Sequence, residues 1–414
     1  MKAPETGPAK ASFWRNALTL SAGTFSAQAL GLLTLLISAR LYSDEAVGIS
    51  GIFIFTVIIL AVAMNGGYEM AIMLPKDDSE AFHLTQLSLG ITAVAALALL
   101  VLAALLPAVP GIEALGDWRF ALPLSAALEG TQQALRVWLN RRGAYKRLAM
   151  SRLLRALASG VVAVGLGLSH EGPSGLILGW IAGQAAAVLF LLSPELLSQR
   201  PALARLRALA REYNDFPRYG MLSAWLNTAA RFLPVYFFTS FYGSDIAGQF
   251  TQTDRVLSLP ATLFSMAVGE VFYAKASEAA RESDTALAHL TRRTFFRLLS
   301  LALPYLLLIL LLGPWLFAWV LGPQWALAGQ FSRALIPWMA MVFVAAPLSY
   351  MIDVRRKLGP FLGFNVCLFA VRLLSLLWAC QHLSPESAMM VFGASGVCMV
   401  LLQLLWTLRL GRAL

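Results

Sequence analysis

Glu129, Gln132, Gln133, Arg136 and Asn140 stand at spacings i, i+3, i+4, i+7 and i+11 in an otherwise apolar stretch. On a helix of 3.6 residues per turn this spacing places all five on one face. Charged and amide side chains are costly in hydrocarbon, so within a membrane they face a cavity or one another. The stripe is therefore either a wall of a hydrated cavity or a set of hydrogen bonds between helices. Arg152 and Arg155 share a face of the next apolar segment. At ~1.5 Å per residue, Arg136, Arg152 and Arg155 reach one layer. Guanidinium groups grip phosphate through planar, bidentate hydrogen bonds, so three in one layer suit a multiply charged phosphate. For Arg136 and Arg152, snorkelling to the membrane interface is the alternative.

The second half of the chain offers a similar set. Ser223, Asn227 and Arg231 form an i, i+4, i+8 stripe, and Asp254 and Arg255 lie in the following apolar segment. Arg231 and Asp254 sit at nearly equal depth and suit an ion pair, either purely structural or opened by a competing phosphate. Arg372 lies well inside an apolar segment and is a further substrate-contact candidate, whereas Arg333 lies near a segment end and reads as an anchor. Asn65 and Glu69 share a face of the second segment, and Glu69 or Glu129 is a candidate carrier of a coupling proton. Gly66-Gly67 and Pro260 mark places for a kink or hinge, with simple helix packing as the alternative. Cys367, Cys380 and Cys398 show no pairing pattern and read as packing residues. The four histidines (His83, His170, His289, His382) are scattered, which argues against a metal site. No Gly-rich loop with Lys-Ser/Thr follows a strand pattern, so neither ATP nor another cofactor is expected.

The elements that must position these residues follow from composition. The chain has 414 residues, 58% hydrophobic and 13% charged, with mean hydropathy +0.69. Soluble domains carry about 25% charged residues. A spanning helix needs about 20 mostly apolar residues, and twelve such segments can be read: 14–40, 47–73, 83–107, 119–140, 147–168, 174–194, 217–241, 246–273, 295–321, 328–352, 359–380 and 387–408. The 32 Lys and Arg are sorted among the gaps between them. Lys2, Lys10, Arg15, Lys76, Arg141, Arg142, Lys146, Arg147, Arg200, Arg205, Arg207, Arg211 and Arg218 fall at the amino terminus and in even-numbered gaps. So do Lys275, Arg281, Arg292, Arg293, Arg297, Arg355, Arg356 and Lys357, with Arg409 and Arg412 in the tail. The odd-numbered gaps hold only Arg40 and Arg119. Cytoplasmic loops retain cations, so both termini are expected in the cytoplasm. The net charge of +10 gathers at segment ends, where it meets anionic headgroups, so nucleic acid is not an expected partner. The first apolar segment is too long for a signal-peptide core, and no cleavage is expected.

The longest connection, around 195–216, contains a basic stretch at 203–211 that reads as a short interfacial helix. It divides the chain into an N-terminal six-helix lobe (1–196), a basic linker (197–215) and a C-terminal six-helix lobe (216–414). The halves look related. Tyr42…Gly48 and Tyr242…Gly248 each place Tyr and Gly six residues apart after the first span of a half. Lys76–Ala81 resembles Lys275–Ala279, and Arg141-Arg142 and Arg355-Arg356 each precede a span with Arg near its middle. Six spans per half make the repeat parallel. The expected fold is an all-α integral membrane protein of about 12 transmembrane helices.

Several turns are familiar. Ala39–Gly48, Tyr68–Asp78, Asn140–Lys146, Tyr213–Tyr219 and Gly248–Pro260 resemble those of the O-antigen/polysaccharide repeat-unit flippases. These belong to the multidrug/oligosaccharidyl-lipid/polysaccharide (MOP) exporter superfamily, and the resemblance covers essentially the whole chain. It implies a multi-pass protein of the bacterial cytoplasmic (inner) membrane, not an enzyme. Its substrate would be an undecaprenyl-pyrophosphate-linked glycan, carried from inner to outer leaflet for O-antigen, lipopolysaccharide or exopolysaccharide synthesis. Two lobes would alternate access to arginines that hold the phosphates, with the prenyl tail left among membrane lipids. The expected state is a monomer, served by polysaccharide polymerase or chain-length machinery. A drug exporter of the same superfamily is the alternative, although a cavity for cationic drugs favours acidic or aromatic walls over arginines. A membrane glycosyltransferase or polymerase is a third reading, prompted by Asp44-Glu45. The short outer gaps and the matching Ser244-Asp245 favour a turn motif instead.

Overall fold

The computed structural model describes residues 8–103, 111–169, 172–198, 202–355 and 357–412. Lys2, His170, Arg200 and Arg356 lie outside the described residues, as do the side chains of Lys10, Arg15, Pro260, Arg281 and Arg412. Twelve long helices are described: α1 Pro8–Leu41, α2 Asp44–Met64, α3 Asp78–Leu102, α4 Leu122–Arg141, α5 Tyr145–Gly167, α6 Ser174–Leu191, α7 Leu222–Tyr242, α8 Ser244–Glu282, α9 Asp284–Leu321, α10 Ala326–Leu348, α11 Leu358–His382 and α12 Pro385–Arg412. The described residues contain no strand. The chain is an all-α membrane protein with about twelve transmembrane helices. Eight stretches are long and apolar enough to cross a membrane by length and composition. The helices missing from that set include α4 and α7, which carry Glu129 and Arg231. Their polar residues lower the hydropathy at the positions where chemistry was expected.

The chain packs as two compact units, one of Met1–Ser43 and Phe53–Met221, the other of Asp44–Ile52 and Leu222–Leu414. The first thus holds α1, the later part of α2, and α3 to α6; the second holds α7 to α12. The basic stretch forms a helix over Leu203–Glu212. Its Leu209 is buried in a cluster with Phe82, Trp138 and Leu139, and its Arg205 pairs with Glu80 of α3.

Helix ends depart from the sequence expectation where backbone geometry intervenes. The second span was expected to run to residue 73, but α2 stops at Met64. Gly66 (φ 60°) and Gly67 (φ 77°) adopt left-handed backbone that an α-helix excludes. A 3-10 helix, Tyr68–Met73, follows. Asn65 and Glu69 therefore belong to different elements and do not share one helical face. The fourth span begins with a 3-10 segment, Ile112–Ala121, broken at Gly116, before α4 starts. By contrast, α8 is continuous through position 260. Ser283 caps α9 by accepting from Ala286 N–H, and Asp77 caps α3 by accepting from Ser79 N–H.

Each unit is tied by a corresponding tyrosine. In the first, Tyr42 Oη donates to Ala163 O of α5 at 2.6 Å. In the second, Tyr242 Oη donates to Leu383 O just after α11 at 2.8 Å. These are the two tyrosines of the repeated turn, and each fastens the end of its unit's first helix to the end of its fifth.

Close packing of α5 on α6 brings the candidate residues together. Gly175, Gly179 and Gly183 recur every four residues along α6. A Cβ at Gly179 would stand 2.8 Å from Ser159 O, and one at Gly183 2.8 Å from Arg155 O. Small residues at this spacing allow membrane helices to approach backbone to backbone. Gly179→Val is expected to destabilise the protein by about 1–3 kcal/mol, because the added carbons must push α5 away. Gly165→Ala, inside α5 with a Cβ that meets nothing within 4 Å, should not destabilise the protein and should raise its stability by up to about 1 kcal/mol. Thermal unfolding of the two purified variants in detergent checks both.

Candidate functional site

The first unit assembles a charged cluster on α4, α5 and α6 around one carboxylate. Glu129 is buried, with 7% of its surface exposed. Its Oε2 lies 2.9 Å from Arg155 Nη2 and accepts from Gln184 Nε2 at 3.0 Å. Its Oε1 stands 3.7 Å from Arg136 Nη2. Ser125 Oγ donates to Gln184 Oε1 at 2.6 Å, fixing that amide. Arg155 also donates from Nη1 to Gln132 Oε1 at 2.6 Å and lies over the Trp180 ring, 4.7 Å from its centre. The two arginines are therefore held differently. Arg155 is clamped on three sides, whereas Arg136 has a long ion pair and a side chain 35% exposed. Arg152 is near enough for its charge to bear on Arg136.

The α4 stripe divides its loyalties among neighbours. Glu129, Gln132 and Arg136 belong to the arginine cluster. Gln133 Oε1 instead faces Asn65 Nδ2 at 3.5 Å, and Asn65 also donates to Gly130 O at 3.0 Å. Thr92 Oγ1 of α3 donates to Asn65 Oδ1 at 2.9 Å. This second network pins the end of α2 between α3 and α4. Asn140 is exposed at the end of its helix. Glu69 is buried in the 3-10 turn, and its Oε2 has no hydrogen-bond partner among the described residues.

The second unit holds the Arg231–Asp254 pair and Arg372, near enough for the charge of Arg231 to bear on Arg372. Arg231 Nη2 of α7 binds both oxygens of Asp254 on α8, at 3.0 and 3.1 Å. Arg231 is 38% exposed at its side chain and Asp254 only 6%. Arg255 is half-buried beside Asp254. Arg372 is 2% exposed. Its guanidinium lies 4.0 Å from the Trp338 ring centre and 4.5 Å from that of Phe392, and Nη1 donates to Ala230 O at 3.3 Å. A Cβ at Gly396 would meet Arg372 Nη2 at 2.5 Å, so this pocket depends on glycine. Nearby, Asn365 donates to Ser223 Oγ at 2.7 Å and accepts from Asn227 at 3.1 Å. Arg333 is exposed and donates to Leu311 O.

Gln184, Trp180, Asn365 and Trp338 belong to these groups and were not singled out from the sequence. For Gln184 and Asn365 the signal was present: each is an amide inside an apolar span, the criterion that selected Glu129. The two tryptophans carried no such signal, because aromatic residues are ordinary in spans. Among the described residues, no three of His, Cys, Asp and Glu gather in a way that could hold a metal ion.

Twelve long helices, with carboxylates and guanidiniums kept inside the spans, define a polytopic membrane protein. Solved structures share this fold at low identity. An inward-facing multidrug resistance MATE family transporter of the MOP superfamily matches with TM-score 0.69 and 15% identity, covering 94% of each chain. The lipid II flippase MurJ in an inward closed conformation matches with TM-score 0.73 and 15% identity, over 95% of this chain and 87% of that one. A MOP superfamily transporter from Pyrococcus furiosus matches with TM-score 0.62 and 15% identity, over 95% of both. No curated protein matches. Residues 37–329 match the family described as polysaccharide biosynthesis protein, and the chain belongs to that family.

Removing Glu129 would leave the half-buried Arg155 without its counter-charge, a loss of up to about 3 kcal/mol, the low end for a fully buried pair. Glu129→Ala is therefore expected to lower the melting temperature well below that of Gln133→Ala, whose partner is a neutral amide. Arg155→Met combined with Glu129→Leu should recover most of the loss, since both charges then leave together. Melting curves of the purified variants measure the difference.

Proposed function

We propose that the chain is a flippase for an undecaprenyl-pyrophosphate-linked oligosaccharide, moving it across the bacterial inner membrane for surface polysaccharide synthesis. The observation that carries this reading is the charge surplus around Glu129. One carboxylate faces Arg155 and Arg136, with Arg152 close by. Such a cluster retains positive charge after internal pairing, which suits a pyrophosphate and repels a cationic drug. Arg136 is the more exposed and more loosely held, so it is assigned to meet the phosphate. Arg155, clamped by Glu129, Gln132 and Trp180, holds the positive edge in place. Arg152 adds to the field.

Arg231 is the corresponding candidate in the second unit, half-exposed and releasable from Asp254 when a phosphate competes. Arg255 and Asn227 are assigned to the same polar surroundings. Arg372 reaches a phosphate only if Trp338 or Phe392 moves, so its part is to keep that pocket positively charged. Among the carboxylates proposed for ion coupling, Glu129 and Asp254 are engaged by arginine, which leaves Glu69 as the preferred carrier. The family match supports a glycan over a drug, whereas the fold is shared by MurJ and the multidrug MATE transporters alike. Partner polymerases belong to the same proposal, and no enzymatic step is required of this chain.

The test is rescue of surface polysaccharide in a strain that lacks its own flippase. Wild type should restore export. Arg136→Ala should abolish it while leaving the amount of folded protein unchanged, and Arg136→Lys should restore part, since Lys keeps charge but loses bidentate geometry. If alanine variants of Arg136, Arg155, Arg231 and Arg372 all export normally, the arginine mechanism is wrong. If the wild type exports a cationic dye and no glycan, the drug-exporter reading takes its place.

A further inference from the structure

Outside these clusters, a basic cavity on α9 is unused by the proposed function. His289, Arg292, Arg293, Phe296, Arg297 and Ser300 line a space of about 450 Å³. All six are exposed. Their spacing of three and four residues gathers them on one side of the helix. Arg292 lies 5.9 Å from the Phe296 ring centre, and Ser300 Oγ is turned inward to Arg297 O. The acidic residue at the start of the helix, Asp284, is taken by Arg355. No carboxylate is among the described lining residues.

The same side of α9 continues as exposed apolar surface: Leu303, Leu307, Leu311, Trp315 and Trp319. Most of the apolar window of this helix is unburied, the condition of a lipid-facing span. Trp315 and Trp319 stack at 5.6 Å near its other end, as residues of a membrane interface do. From Arg297 to Trp315 the rise is ~27 Å at ~1.5 Å per residue, close to the ~30 Å thickness of a bilayer's hydrocarbon core. The cations thus stand at headgroup level on one leaflet, directly below a track for acyl chains.

We propose that this cavity binds one anionic phospholipid of that leaflet, with the phosphate among Arg292, Arg293 and Arg297 and the chains along Leu303, Leu307 and Leu311. The charge selects an anionic head, and the apolar stripe above it selects a lipid over a free phosphate. A single snorkelling arginine needs neither the concavity nor three neighbours. Bound there, the lipid would couple the protein to the anionic content of its own leaflet, whatever substrate it carries.

The experiment compares wild type with the variant Arg292→Gln/Arg293→Gln/Arg297→Gln in phosphatidylcholine micelles titrated with phosphatidylglycerol. Thermal unfolding and native mass spectrometry are the readouts. Wild type should retain one phosphatidylglycerol more than the variant and gain thermal stability with it. The variant should bind that molecule at least about tenfold more weakly, since each arginine near an anionic surface adds to the attraction. Should the triple variant melt early in pure phosphatidylcholine, Arg293→Gln alone is measured and should show a smaller loss of the same kind. Equal retention in wild type and both variants overturns the proposal. So does equal protection of the wild type by millimolar inorganic phosphate, which would make the cavity a simple anion site.

Discussion

A charge inside a bilayer must have a partner, and the first unit is organised around meeting that requirement for Glu129 and Arg155. Neither group is tolerable alone in hydrocarbon, and at 2.9 Å they satisfy each other. Everything adjacent serves the pair. Gln184 and Gln132 add hydrogen bonds to the pair, Ser125 fixes Gln184, and Trp180 covers the guanidinium face. Because the carboxylate is already committed, Arg136 is left with a weak claim on it. An under-satisfied arginine near a fixed positive neighbour is the arrangement an incoming phosphate can exploit.

The glycines of α6 are what make that arrangement buildable. Trp180 can cover Arg155 because Gly179 and Gly183 bring α6 against the backbone of α5. The second unit solves the same problem with other means. Arg231 takes a bidentate carboxylate, whereas Arg372 is enclosed by two aromatic faces and a backbone carbonyl, with Gly396 clearing the space. Aromatic faces offer a cation partial compensation without a formal counter-charge. The unit therefore keeps a positive charge that no described carboxylate neutralises at contact distance.

Much of the helical layout was legible because hydropathy and charge sorting report directly on immersion in a bilayer. The positions of α3, α6 and α10 follow from runs of apolar residues, and the Tyr42 and Tyr242 turns reveal the repeat by spacing alone. The end of α2 was not legible: Gly66-Gly67 signalled a weak point, but only backbone dihedrals distinguish a kink from a stop. The polar members of the clusters could be chosen from sequence, since a charge in an apolar span is conspicuous. Their partners could not. Whether Gln133 turns to Asn65 or to Arg155 depends on which helix packs on which side of α4, and that is decided by contacts remote in sequence. Trp180 and Trp338 illustrate the limit best, being unremarkable in composition and decisive in position.

The central claim is that the Glu129 cluster recognises phosphate, and binding measures this without the complications of export. Purified protein should bind undecaprenyl pyrophosphate at least about tenfold more tightly than undecaprenol, which has the same tail and no phosphate; tenfold corresponds to about 1.4 kcal/mol. The Arg136→Ala/Arg152→Ala variant, which leaves the Glu129–Arg155 pair intact, should bind the two lipids equally. Unchanged preference for the pyrophosphate in that variant would contradict the account.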